Sequence, residues 1–204
     1  MSNDDGIVRE LARITQPGPG KLAELHHRLA AAAQRDDLLD IAYRTVDTPV
    51  GPLLLAATEQ GLVRVAYARE DHDTVLQHLA DEVSPRILQA PARLDTAARE
   101  LDEYFARARR TFDLPLDWRL AAGFRSTVLH HLPEIDYGQT ASYATVAALA
   151  GSPKAVRAVG TACAKNPLPV VIPCHRVVRS DGAMGGYLGG PEAKRLLLDL
   201  EAAA

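Results

Sequence analysis

Near Asp40 the spacing of apolar residues changes from helical to alternating, and near Phe124 it changes back. That double switch confines the chain to a mixed α+β architecture in which a sheet precedes a mainly helical part. Ile41, Tyr43 and Thr45 alternate with their neighbours, and the runs Gly51-Pro-Leu-Leu-Leu-Ala-Ala-Thr58 and Leu62-Val-Arg-Val-Ala-Tyr67 flank a Glu59-Gln60-Gly61 turn. β-branched and apolar runs between tight turns predict an antiparallel meander of three strands. Helices are expected over about 72–83 and 95–108, the second from Leu94, Ala97, Ala98, Leu101, Tyr104 and Phe105 at helical spacing.

Asp113-Leu-Pro-Leu-Asp117 reads as the crossover into the second part, where a first helix is expected over about 123–132. Beyond Tyr137-Gly138-Gln139, Thr140 is suited to cap a helix through Ala150, and Gly151-Ser152 turns the chain. Pro153 then fits the first position of another helix to about Ala164. Helix, tight turn, helix is the helix-turn-helix outline, although any two packed helices produce it. Within Lys154-Ala-Val-Arg-Ala-Val-Gly160, Arg157 is a long cation among small residues. Either the small residues let this helix approach a groove while Arg157 reaches in, or they face a core and Arg157 is an ordinary surface cation.

The first 40 residues read as an appendage: a short helical stretch around Ile7 to Ile14, a Gln-Pro-Gly-Pro-Gly breaker at 16–20, and an amphipathic helix from Lys21 to about Arg35. Leu22, Leu25, Leu29 and Ala32 share one face of that helix. His26-His27 is not read as a metal site, because adjacent helical residues diverge and no ligand follows at i+4.

The 204-residue chain can bury a core without disulfides, and it carries only Cys163 and Cys174, in no zinc-like spacing. No basic-then-apolar leader and no membrane-length apolar run are present, so a cytoplasmic protein with no membrane partner is expected. The net charge of -3 argues against a strongly basic nucleic-acid binder, yet residues 121–204 hold 8 Lys and Arg against 6 Asp and Glu. That balance permits phosphate contacts without requiring them.

Residues 171–178 read Val-Ile-Pro-Cys-His-Arg-Val-Val, which sets Cys174 beside a histidine and an arginine at the end of an apolar run. A lone thiol beside histidine suits a nucleophile; a buried cysteine is also a common small core residue. Further residues decide between them. Phe124, Val128, Tyr137-Gly138, Ser142-Tyr143, Gly151, Pro153, Arg157 to Gly160, Asn166-Pro167, Ile172 to Val177, Gly186-Tyr187, Gly189-Gly190 and Glu201 occur in an order and spacing that resemble the O6-alkylguanine-DNA alkyltransferases. Thr48-Pro-Val-Gly-Pro-Leu-Leu-Leu-Ala-Ala-Thr58 is similar to that family's N-terminal domain, and the resemblance covers about residues 40–202. Departures are Leu129 where tryptophan is frequent, Asp136 where proline is frequent, and Leu188 where some relatives have serine.

The resemblance implies a ribonuclease-H-like domain over 40–117, a helix-turn-helix, winged-helix-like DNA-binding domain over 118–204, and an extension of unassigned role over 1–39. It implies a single irreversible transfer of an alkyl group from O6-alkylguanine in duplex DNA to Cys174, with no cofactor, no metal and a monomeric protein. In that scheme His175 takes the thiol proton through a water, Glu201 holds the imidazole, Tyr143 serves guanine N3, and Asn166 forms a hinge. Arg157 replaces the extruded nucleotide from the minor groove, while Ala144, Ser152 and Ser180 approach the DNA backbone. Tyr187, Gly186, Leu188 and Gly189 wall the pocket. A non-catalytic damage sensor of the alkyltransferase-like kind is the rival reading, and it lacks the acceptor cysteine. A cysteine hydrolase would want its histidine distant in sequence rather than adjacent.

Overall fold

The computed structural model describes residues 18–202. The stretch expected to be helical around Ile7 to Ile14 lies outside the described residues. Helix α1 spans Pro19–Arg35, with Pro19 in its first turn, so the end of the Pro-Gly breaker opens the helix instead of preceding it. Its small side chains face the protein: Ala33 packs with Leu39, Ala42 and Ala90, and Ala30 joins them. Leu22, Leu25 and Leu29 point outward, 41–53% exposed. Small alanines allow close approach to the neighbouring strand, which leucines on that face would prevent.

Three strands, β1 (Ile41–Val46), β2 (Leu53–Thr58) and β3 (Gly61–Tyr67), form the expected antiparallel meander. After α2 (His72–Glu82) a short fourth strand, β4 (Ile87–Gln89), pairs parallel to β1, giving the order β3-β2-β1-β4. β2 is buried at all six positions, because α2 covers one face and α3 (Asp95–Phe105) the other. Past α3 the chain returns along β3, where Leu62 pairs with Leu116 and the Asp117 carboxylate accepts a 2.6 Å hydrogen bond from Thr58.

The remaining elements are α4 (Gly123–His131), β5 (Ala141–Ser142), α5 (Tyr143–Leu149), α6 (Val156–Ala164), β6 (Val177–Val178) and α7 (Pro191–Ala202). Two boundaries differ from those expected. Thr140 does not cap α5: β5 pairs parallel with β6, which keeps the chain extended through Ser142, and Ser142 Oγ accepts from Thr145 N at 3.0 Å. Nor does Pro153 open α6, since Ser152–Ala155 form a turn closed by Ala155 N to Ser152 O at 2.8 Å, and the helix begins at Val156. Arg157 is therefore in the first turn of α6.

One apolar core spans both parts, joining Leu55, Leu101 and Tyr104 to Val128, Val159, Cys174 and Leu197. Such continuity holds the helical part against the face of the sheet covered by α3. No helix among the described residues is long and apolar enough to cross a membrane.

Candidate active site

Cys174 lies where the buried run Leu168 to Ile172 ends against Pro173. Cys174, His175 and Arg176 form a 3₁₀ turn in which Arg176 N donates to Pro173 O at 3.0 Å. The preceding loop is locked by Asn166, whose side chain is fully buried. Asn166 Oδ1 accepts from Leu168 N at 3.0 Å, and Nδ2 donates to Ile172 O at 2.9 Å and to Cys174 Sγ at 3.1 Å. Val170 within this loop has φ 73°, an unfavourable conformation for a β-branched residue that such bracing can hold in place. The loop is also tied to the sheet, because Val65 N donates to Pro167 O at 2.9 Å.

The 3₁₀ turn brings the His175 imidazole to Glu201 on α7. His175 Nε2 faces Glu201 Oε1 at 2.9 Å, both side chains being essentially inaccessible. Glu201 also receives Arg176 Nε and Nη2 at 2.9 and 3.0 Å, Gly138 N at 3.2 Å and Tyr104 Oη at 2.6 Å. The other imidazole nitrogen, Nδ1, is buried without a protein partner. α7 supplies this geometry by periodicity: Ala193, Lys194, Leu197 and Glu201 recur along its buried face.

Burial disfavours every charge here, and the partners decide which survive. Burial pushes the Cys174 thiol up to about 11, against the opposing pull of the Asn166 amide and the Lys194 ammonium. Burial also lowers His175, although Glu201 opposes it, which favours the neutral imidazole. For Glu201 the burial penalty is outweighed by hydrogen bonds from His175, Arg176 and Tyr104, and the carboxyl falls to about 2. Lys194, fully buried, donates to Val177 O at 2.6 Å and to Met184 O, and burial lowers its pKa. The site thus favours a neutral thiol, a neutral imidazole and an ionised carboxylate in contact with one arginine.

Tyr187 closes one side. Its ring meets His175 edge-on at 6.2 Å between centroids, and its hydroxyl lies 2.8 Å from that of Tyr67 on β3. The glycines around it are required: a Cβ on Gly189 would lie 2.5 Å from the Tyr67 ring, and one on Gly185 would lie 2.9 Å from the Tyr143 hydroxyl. Tyr143, partly buried, begins α5 and is packed against the same core as Cys174. Gly186 is exposed, and Leu188 is one of the residues, with Arg64, Arg125 and Lys165, that line a cleft of about 720 Å³.

Arg157, Ala144 and Ser180 are exposed and Ser152 is partly exposed. The Arg157 and Lys154 side chains form no ion pair among the described residues. Cys163 is buried in α6, and burial pushes its thiol up as well. No cluster of three or more metal-ligating side chains occurs among the described residues. Sequence reasoning missed Tyr104, Lys194 and the Arg176 side chain as parts of this site. For Lys194 a signal existed, a lysine on the same helical face as Leu197 and Glu201; for Tyr104 the spacing spoke only of core.

Residues 123–203 match the model of the 6-O-methylguanine DNA methyltransferase DNA binding domain, and residues 41–118 match the model of that family's ribonuclease-like domain. A constitutive methylated-DNA--protein-cysteine methyltransferase of Bacillus subtilis is 40% identical over 164 residues, covering 78% of this chain and 94% of that protein. The methylated-DNA--protein-cysteine methyltransferase of Mycobacterium tuberculosis is 37% identical over 161 residues, covering 79% and 92%. Among solved structures, the M. tuberculosis O6-methylguanine methyltransferase superposes with a TM-score of 0.69 at 36% identity, covering 80% of this chain and 93% of that one. The M. tuberculosis OGT in complex with DNA gives 0.67 at 35% identity, covering 79% and 93%. With both domain models matched in order and relatives aligned over nearly their whole length, this chain belongs to the 6-O-methylguanine DNA methyltransferase family.

Proposed function

We propose that this protein repairs DNA by direct reversal, taking the alkyl group from O6 of an alkylated guanine onto Cys174 in one irreversible step. The observation that carries this reading is the buried pair made by His175, in the turn that presents Cys174, with Glu201 on α7. A thiol whose pKa is pushed up to about 11 stays protonated at pH 7, so transfer needs a base at hand. His175 Nδ1 is buried and unpartnered, and a single water can carry the proton from Sγ to it. Glu201 stabilises the imidazolium that results.

In the step itself an S–C bond forms, the C–O6 bond breaks, and its electron pair leaves on guanine. Tyr143 donates a hydrogen bond to guanine N3 and so relieves the developing charge. Asn166 steadies the sulfur lone pairs and the loop that bears them. The product is a thioether, which water does not cleave, so each chain acts once and needs no cofactor or metal.

The target base is stacked within duplex DNA and must be extruded, at a cost of a few kcal/mol. In this reading α6 enters the minor groove, where its small residues allow close approach, and Arg157 fills the gap left by the base. Ser152, Ser180 and Ala144 meet the backbone. Tyr187, Gly186, Leu188 and Gly189 wall the base pocket, with the hydrophobic Leu188 contributing no side-chain donor to O6. Residues 40–117 and 118–204 serve as the ribonuclease-H-like and DNA-binding units of a monomer, and 1–39 form an extension.

The test is a titration with duplex DNA carrying a radiolabelled O6-methylguanine. Label on protein should saturate at one methyl per chain, with no further transfer when fresh DNA is added. Tight binding without label on the protein would make the chain a damage sensor instead.

A further inference from the structure

Tyr104 has no part in the reaction as just described, yet its hydroxyl lies inside the site. It is carried by α3, far from α7 in sequence, and its Oη donates to Glu201 Oε1 at 2.6 Å. The same oxygen faces His175 Nε2 at 2.9 Å. Tyr104 is completely buried, its ring packed against Phe105 and Phe112 at 5.3 Å and Tyr137 at 6.1 Å. Packing of this kind requires only the ring, and phenylalanine would fill the space. The hydroxyl is a separate feature, a short hydrogen bond to a charged acceptor in a buried setting, where such bonds are strongest.

Its chemical effect has a definite sign. Every donor on Oε1 draws negative charge from the atom that supports His175, so the tyrosine weakens the pull of Glu201 on the imidazole proton. The carboxylate would be held without it, since Arg176 contributes two hydrogen bonds and Gly138 one. We propose that Tyr104 is a positioning residue of the alkyl-transfer site, through which the ribonuclease-like part of the chain restrains the basicity of His175 and hence the reactivity of Cys174. The proposal rests on the reading of Cys174 as acceptor and His175 as its base.

Other groups facing these residues remain in place in the variants below. Around Glu201 they are His175, Arg176 and Tyr137. Around the thiol and imidazole they are Lys194, Cys163, Tyr67, Tyr143 and Tyr187.

The experiment measures the rate of Cys174 alkylation by iodoacetamide against pH, by peptide mass, alongside single-turnover methyl transfer from a duplex. Tyr104→Phe should move the midpoint of the thiol profile down by roughly half to one pH unit, making the reaction about threefold or more faster below the midpoint. Phe112→Leu, which loosens the same ring without touching the hydrogen bond, should lower Tm and leave the midpoint where it was. Should Tyr104→Phe not fold, 3,5-difluorotyrosine placed at position 104 provides a stronger donor and should move the midpoint up. An unmoved or oppositely moved midpoint, or an equal shift in Phe112→Leu, overturns the proposal. A hydroxyl-dependent midpoint in a protein that takes no methyl from DNA would leave the tuning intact and overturn the proposed function instead.

Discussion

The thiol site and the helix-turn-helix surface are built on opposite plans. Around Cys174, nearly every polar atom is buried and bonded: Glu201 alone receives five hydrogen bonds from four residues. On the turn Ser152–Ala155 and the start of α6, long side chains stand in solvent with no ion pair among the described residues. Under the proposed function the contrast separates two tasks. A displacement at carbon needs its base and carboxylate fixed in advance, because reorganisation would raise the barrier. A surface that meets any DNA sequence gains from cations kept free to find phosphates and a gap in the stack.

The contrast yields predictions of graded size. Cys174→Ala should abolish transfer while leaving DNA affinity within a factor of about two, measured by label transfer and fluorescence anisotropy. Glu201→Ala comes next, because it strands buried Arg176; it should destabilise the fold by about 3–5 kcal/mol in urea titration and slow transfer by about 100-fold or more. Arg157→Ala should behave oppositely, slowing repair of duplex DNA roughly tenfold while reaction with free O6-benzylguanine and Tm stay unchanged. Equal losses on the duplex and the free base would erase the distinction between the two surfaces.

Acid should expose the difference as well. Glu201 is depressed to about 2 in the fold, so its contribution is complete above the ordinary carboxylate pKa of about 4.3 and is lost as pH falls toward 2. His175 is lowered too, so the unfolded chain takes up its proton first, and stability begins to fall once pH drops below about 6.5. Unfolding free energy should therefore decline on acidification from pH 7, and Glu201→Gln should flatten the steeper part of that decline below pH 4.5. The smallest effect belongs to α1, where Leu22→Ser or Leu29→Ser should change stability by less than about 0.5 kcal/mol, since both leucines are about half exposed.

Much of this was legible in the chain. The meander, its helices and the Cys174 octet are written in local spacing, and the motifs spread from Phe124 to Glu201 carried the family. What escaped depends on partners distant in sequence. β4 is three residues long and exists only because β1 offers an edge. Ser142 outranks Thr140 as the cap because β6, paired through Ala141 with Val177 and Ser142 with Val178, holds the chain extended there. The outward leucines of α1 reverse the usual reading of an amphipathic face, for close packing on β4 favoured alanine. Tyr104 looked like core and is core, but its hydroxyl acquires meaning only when α7 brings Glu201 to it across 97 positions.

Transfer to Cys174 is tested by the mass of the protein and its peptides after reaction with a duplex bearing one O6-methylguanine. The expected result is a gain of one methyl group per chain, confined to the peptide containing Cys174 and absent from the Cys163 peptide. An unmodified Cys174, or a methyl group elsewhere in the chain, would contradict it.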